Sequence, residues 1–309
     1  AVSSLYPCAF IIFFNFGDEV ALLGPGKMGA PMGFRLLQAG HRLRVWARRP
    51  ESAARLVAAG ASFVGVPREL TSRSDAIVVM LQDLSQLEPL LVGLDGMVAG
   101  VTHPTVLIIG STVAPQDVRE LAVRLAAETD GLLQVVDAPV SGGEAGAQAG
   151  TLSIMVGGPD EPVARACEVL AACGDPVHCG PLGAGEVVKA CNQLVVGITM
   201  GALSEAALLA EGAGVDVALM YRMLAKGWGG SAVLNAKHTK VEQRDYSNTG
   251  AAKFMVKDLL IALAEASAGG RTLPLSGKAL GIYQGLVSAG LGDDDLAVVH
   301  KYLGQATAH

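Results

Sequence analysis

Lys189, Asn192 and Gln193 stand at i, i+3 and i+4 in "GAGEVVKACNQ" (183–193), a spacing that puts all three on one face of a helix. A lysine about one turn into an otherwise apolar helix is costly to bury unless it has a task or a partner. An amine that loses solvation there can drop its pKa towards neutrality, which is what a general acid needs. A salt-bridged or snorkelling lysine has the same local pattern, so this segment alone leaves both readings open. Two other stretches raise the same kind of question. "DAPVSGG" (137–143) ends in Ser141, Gly142 and Gly143, small residues whose backbone N–H groups can form a nest for a carboxylate, or merely an ordinary loop. "FMVKDLLIAL" (254–263) sets Lys257 beside Asp258, a pair equally at home as decoration on a helix surface.

A fourth stretch is more specific. "VALLGPGKMG" (20–29) carries Gly24, Gly26 and Gly29 between a strand-like run and a helix-like one, the context a dinucleotide-binding loop requires. Gly24 permits the tight turn, Gly26 lets backbone approach a pyrophosphate, and Gly29 lets helix and strand pack closely. The helix N-terminus adds N–H donors. Pro25 removes one donor and leaves the turn feasible; with Lys27 and Met28 it completes the expected cofactor-contacting loop. At the end of the second strand, where an NAD enzyme normally carries an acid for the ribose, the chain reads "VWARRP". Arg48 and Arg49 suit a 2′-phosphate, so NADP(H) is the expected cofactor; a solvated basic turn is the plainer alternative.

These residues need a scaffold, and the pattern supplies one. Short β-type runs alternate with helical ones from Glu19: strands over Glu19–Leu23, 43–47, 62–66, Ala76–Leu81, Thr105–Ile109 and 134–137, with helices over Met28–Ala39, Ser52–Ala59 and 115–128 between them. Continuous apolar strands such as "AIVVML" and "TVLII" imply burial on both faces. The expectation is an α/β Rossmann-type doubly wound parallel sheet followed by an all-α C-terminal domain. A long helix, unbroken from Glu186 to Gly212, leads the second domain. It is apolar nearly all round, so other helices or a partner subunit must cover it. The domains are placed at 19–182 and 183–309, after an atypical tail at 1–18. That tail has an apolar run, Ala9–Phe14, well short of the ~20 residues that span a bilayer, and no Lys or Arg before Lys27.

Bulk properties narrow the class. At 309 residues, two domains are the prior. A net charge of -6 with scattered signs and no basic stripe argues against a nucleic-acid partner. The five cysteines (Cys8, Cys167, Cys173, Cys179, Cys191) show no metal-ligand spacing, so no metal site is expected, and they fit a reducing cytoplasm.

Taken together, "GPGKMGAPM", "STVAP", "DAPVSGGEAGAQAGTLSIMVGG", "GAGEVVKACNQ" and "KDL", in this order, resemble the β-hydroxyacid dehydrogenase family over about residues 19–304. That family includes 3-hydroxyisobutyrate dehydrogenase, tartronate semialdehyde reductase and, more distantly, 6-phosphogluconate dehydrogenase. The resemblance implies that Lys189 gives a proton to the substrate oxygen, and that Ser141, Gly142 and Gly143 hold the substrate carboxylate with Asn192 and Gln193 nearby. It implies that Thr112 lies against the nicotinamide ribose and that Lys257 closes over the cofactor. It further implies a site in the cleft between domains and a homodimer or homotetramer formed through the helical domain. The activity implied is reduction of a small semialdehyde carboxylate of the tartronate, methylmalonate or succinate type.

Some residues depart from the pattern. Gln193 stands where 3-hydroxyisobutyrate and 6-phosphogluconate dehydrogenases carry Asn, and is similar to the tartronate semialdehyde reductase branch. Ile109 stands where relatives often have Asp, and Trp228 would bear on substrate size. Two other readings remain beside this one. Imine reductases look similar overall but usually lack a lysine at the position of Lys189. A non-catalytic dehydrogenase-like scaffold has no need of the lysine, the Ser-Gly-Gly turn and the glycine loop together.

Overall fold

The computed structural model describes residues 19–306, so the expected tail at 1–18, with Cys8, lies outside the described residues. The chain divides into two compact units between Lys189 and Ala190.

The first unit is built on strands β1 (Glu19–Leu23), β2 (Arg42–Trp46), β3 (Ser62–Phe63), β4 (Ala76–Val79), β5 (Thr105–Ile109), β6 (Leu133–Asp137), β7 (Val140–Ser141), β8 (Leu152–Gly157) and β9 (Gly174–Gly180). Its main helices are α1 (Gly29–Gln38), α2 (Pro115–Glu128), α3 (Gly143–Ala149) and α4 (Asp160–Leu170), with short helical turns elsewhere. Strands β3-β2-β1-β4-β5-β6 lie in that order and run parallel, the doubly wound arrangement expected from the sequence.

The unbroken apolar strands follow from this packing. Val20 and Leu22, Ala76 and Val78, and Val106 and Ile108 face one core with Met32 and Leu36 of α1. Ala21 and Leu23, Ile77 and Val79, and Leu107 and Ile109 face the other, with Val118, Leu121 and Leu125 of α2. Period-two alternation sends successive side chains to opposite faces, and both faces are covered. Each such Leu, Ile or Val, removed from water, contributes about 1.5–3 kcal/mol.

The sheet continues past the last strand expected from the sequence. β8 runs antiparallel to β6 and β7, and β9 runs parallel to β8. β9, "GDPVHCG", contains Gly, Pro and Asp and is mostly exposed or half-buried, as an edge strand tolerates. Its composition reads as loop, and only its place beside β8 makes it a strand. Gly174 marks that closeness: a Cβ there would lie 2.0 Å from the Leu152 carbonyl oxygen.

The long helix α5 (Ala184–Gly212) carries the chain across the division. The second unit contains most of it, with α6 (Val217–Ala225), α7 (Ala232–Gln243), α8 (Phe254–Ala268), α9 (Pro274–Ser288) and α10 (Val298–Ala306). By length and composition α5 would pass for a membrane span. Yet Met200, Leu203 and Ala207 on one side are buried with Tyr221, Leu259 and Tyr283 in the core of the unit. The two buried phenols find acceptors inside the unit, Tyr221 donating to the Leu203 carbonyl (2.9 Å) and Tyr283 to that of Gly197 (3.1 Å). Burial pushes the pKa of both phenols up. On its other side α5 leaves Val195 and Leu209 57% and 76% exposed.

Side-chain caps fix where α6 and α7 begin. The Asp216 carboxylate accepts from the Ala218 and Leu219 N–H groups, and the Ser231 hydroxyl from that of Leu234. Between α7 and α10, the carboxylate of Asp295 is fully buried. It accepts from the Lys237 ammonium at 2.9 and 3.0 Å, from the Ala297 N–H, and from both the N–H and hydroxyl of Thr249. That staple holds the segment before α8 against the one before α10.

Candidate active site

In the first unit, the loop between β1 and α1 shows why three glycines are spaced as they are. Gly24 has φ +93°, and a Cβ on it would lie 2.5 Å from the Met80 carbonyl oxygen at the end of β4. At Gly29 a Cβ would lie 2.2 Å from the Gly24 carbonyl oxygen. At Gly26 it would meet nothing within 4 Å. Two of the glycines are therefore demanded by the protein's own packing, whereas Gly26 opens onto free space. That contrast fits a pyrophosphate passing over Gly26 towards the start of α1, whose first residues have no side-chain cap. Pro25 is buried, while Lys27 is exposed and Met28 half-buried.

The end of β2 lies beside this loop. Leu23 pairs in register with Trp46, and the Gly24 N–H donates to the Trp46 carbonyl at 3.4 Å. Arg48 and Arg49 follow two and three residues later, both exposed. Thr112 follows β5 and is half-buried. Its neighbour Ser111 is buried, and its hydroxyl accepts from the Leu81 N–H (3.0 Å), tying the ends of β4 and β5 together. Ser141 ends β7; Gly142 (φ +132°) and Gly143 (φ +63°) turn the chain into α3 with their backbone exposed.

Lys189 lies in the second turn of α5 and is only 7% exposed. The start of that helix is held by a residue the sequence reading passed over. Asp137, fully buried at the end of β6, accepts from the Gly183 N–H (2.7 Å) and the Glu186 N–H (2.8 Å). Burial raises the Asp137 pKa, and the N–H groups of Gly183 and Glu186 pull against that rise without cancelling it. Glu186, also fully buried, accepts from the Val113 N–H at 3.2 Å. In the sequence it is only an acid closing the strand-like run "LQVVD", with no local mark of this role.

In the second unit, Asp258 is buried and gathers two sequence-predicted residues. It accepts from the Gln193 amide, and the Lys257 ammonium lies 3.4 Å from its carboxylate. The Asn192 amide donates to the Gln193 side-chain oxygen at 2.9 Å. The pair Lys257-Asp258 is therefore more than surface decoration: Asp258 faces inward, and Lys257 is left half-buried beside it. Trp228, on the glycine-bearing loop between α6 and α7, is fully exposed.

A family model for the NAD-binding domain of 6-phosphogluconate dehydrogenase matches residues 19–183. A second, for the NAD-binding domain of NADP-dependent 3-hydroxyisobutyrate dehydrogenase, matches residues 183–303. The chain belongs to the β-hydroxyacid dehydrogenase family. As a member it is a hydroxyacid dehydrogenase with a nicotinamide dinucleotide as cofactor.

Among β-hydroxyacid dehydrogenases, the chain is 38% identical over 273 residues to the 3-hydroxyisobutyrate dehydrogenase of Pseudomonas aeruginosa, covering 86% of this chain and 91% of that one. It is 35% identical over 291 residues to the NAD-dependent L-serine dehydrogenase of the same organism, covering 92% and 97%. Among solved structures, the 3-hydroxyisobutyrate dehydrogenase of Mycobacterium tuberculosis with L-serine superposes with a TM-score of 0.82 at 30% identity, covering 93% of this chain and 99% of that one.

Proposed function

We propose that the protein is an NADP(H)-dependent oxidoreductase that interconverts a small semialdehyde or 3-oxo carboxylate and the corresponding hydroxy acid. The observation that carries this reading is the buried Lys189, on a helix whose first turn is tied through Glu186 to the 111–113 loop. The relatives supply the substrate class: 3-hydroxyisobutyrate and L-serine, which their names carry, share a primary alcohol on the carbon next to the one bearing the carboxylate. The bound cofactor supplies hydride from its nicotinamide C4 to the carbonyl carbon.

The chain's own residues do the rest. In this reading, Lys189 neutralises the alkoxide developing on the substrate oxygen and delivers its proton there. Ser141 and the backbone N–H groups of Gly142 and Gly143 hold the carboxylate, fixing the carbonyl face that is attacked. Asn192 and Gln193 contact the substrate on the lysine's side, and Gln193 is held by Asp258. Thr112 and Lys257 contact the cofactor.

The preference for NADP rests on Arg48 and Arg49, exposed beside the glycine loop with no acid in their place. Each charge-assisted bond to a 2′-phosphate contributes about 1.5–3 kcal/mol, roughly ten- to a hundredfold in affinity. Steady-state rates with NADPH and NADH on tartronate, methylmalonate and succinate semialdehydes, and with NADP+ and NAD+ on L-serine and 3-hydroxyisobutyrate, test both halves of the proposal. We expect turnover with the phosphorylated cofactor preferred, and R48Q/R49Q to lower that preference by about a hundredfold or more. A wild-type preference for NADH, or a double variant with unchanged preference, would overturn the NADP assignment. No turnover on any of these substrates would overturn the reaction.

A cytoplasmic homo-oligomer, formed through the helical unit, is part of the same reading. Its support is the exposed Val195 and Leu209 of α5. Light scattering should give a mass of at least twice the chain's 31.6 kDa, and a monomer at micromolar concentration would refute it.

A further inference from the structure

We propose that Asp137 and Glu186 form a buried two-carboxylate clamp that registers Lys189 against the 111–113 loop, making both of them positioning residues for the reaction. The inference rests on the reading of Lys189 as proton donor and adds what aims it.

The first half of the clamp is a helix cap supplied from far away in sequence. The opening turn of an α-helix has N–H groups without intrahelical acceptors, normally met by the residue just before it. Here the acceptor is Asp137, 46 residues from Gly183 and 49 from Glu186, with one carboxylate oxygen on each N–H. Two glycines pack closely against it. A Cβ at Gly157 would fall 2.4 Å from one Asp137 oxygen, and a Cβ at Gly185 would fall 2.8 Å from the other. The Arg119 guanidinium adds a bond to the Leu182 carbonyl (3.1 Å), so the approach to the helix is fixed from both sides.

The second half is Glu186. Its backbone N–H is held by Asp137 and its side chain holds Val113, so one residue joins the end of β6, the start of α5 and the loop after β5. Ser111 in that loop is itself bonded to Leu81. Lys189 follows Glu186 by three residues, on the same side of the helix and likewise buried. A helix is stiff over one turn, so fixing its first turn fixes where a side chain three residues later emerges. An apolar contact would also anchor the helix, at less desolvation cost than two buried carboxylates. It would not set rotation and depth, as directional acceptors do.

The test separates geometry from charge. In Glu186→Gln the amide oxygen still accepts from Val113, whereas Glu186→Leu removes the acceptor at similar volume. We expect E186L to lose about ten- to a hundredfold in kcat, since displacing a reacting group by about an ångström costs on that order. The KM for substrate and the Kd for NADPH, read by fluorescence titration, should stay within about threefold, and E186Q should restore most of kcat. Amide exchange gives a readout that needs no turnover: the Val113 N–H should be protected in wild type and E186Q and exchange at least about tenfold faster in E186L. Asp137→Asn, which keeps one acceptor, is a second variant should E186L fail to fold, and should lower kcat with the NADPH Kd unchanged.

Wild-type kcat in E186L or D137N, E186Q as impaired as E186L, or equal Val113 exchange in wild type and E186L would each overturn the clamp. Wild-type protein inactive on the whole substrate panel would instead overturn the functional reading beneath it.

Discussion

Lys189→Ala is expected to lower kcat by about 10²–10⁴-fold, the usual contribution of a positioned proton donor, while the Kd for NADPH stays within about threefold. The two effects separate because the lysine and the dinucleotide loop are different parts of the first unit. Lys189 is buried in the second turn of α5, whereas the loop at Gly24–Gly29 is shaped by Met80 and by its own backbone. Lys189→Arg should rescue little. A guanidinium stays charged at any working pH and is larger and differently shaped than an ammonium, so at a buried position it neither gives up a proton nor takes the ammonium's place. Steady-state kinetics with fluorescence titration of NADPH check the split, and circular dichroism confirms that the variants fold. Full activity in Lys189→Ala would remove the lysine from the chemistry and would revive the imine-reductase and scaffold readings.

The second large effect is on stability. Asp295→Ala should destabilise the helical unit by about 3–5 kcal/mol, the range found when one partner of a buried ion pair is removed. Lys237, whose side chain is 17% exposed, would lose its counter-charge, and the N–H groups of Thr249 and Ala297 would lose their acceptor. The effect should depend on pH in a defined direction. Burial raises the Asp295 pKa, but the bonds from Thr249, Ala297 and Lys237 outweigh it and leave the carboxyl below its ordinary value of 3.8. A depressed folded-state pKa stabilises fully above the unfolded value and is lost as pH falls through the folded one. Urea denaturation followed by helical circular dichroism should therefore show the full gap between wild type and D295A at pH 7, and a smaller gap below about pH 4. A gap that is constant or grows on acidification would contradict this assignment.

The boundaries that were legible in the sequence are those set by local pattern. β1 and β5 have the bounds that the sequence pattern gives, each ending with its apolar run, and α2 spans the residues its spacing marks out. Each of these elements has one covered face or two, and burial leaves a period in the chain. The glycine loop was legible for a related reason, because backbone crowding admits only one residue type at Gly24 and Gly29. β9 was not legible, because an edge strand with Pro176 earns its hydrogen bonds from β8 and not from its own composition.

The candidate site divides along the same line. Residue types and spacing, with the family resemblance, were enough to single out Lys189, the Ser141–Gly143 turn, Arg48 and Arg49 as candidates, since the chemistry proposed for each is open to few side chains or backbone groups. Asp137, Glu186 and Asp258 carry no such local mark. An acid at a strand end, or beside a lysine on a helix, reads as ordinary until the fold brings its partners to it. Those partners are 46, 73 and 65 residues away in sequence: Gly183 for Asp137, Val113 for Glu186 and Gln193 for Asp258. The sequence by itself determined which groups could react and on what kind of scaffold. The tertiary structure decided which groups the buried carboxylates accept from, because a hydrogen bond depends on distance in space and leaves no period in the chain.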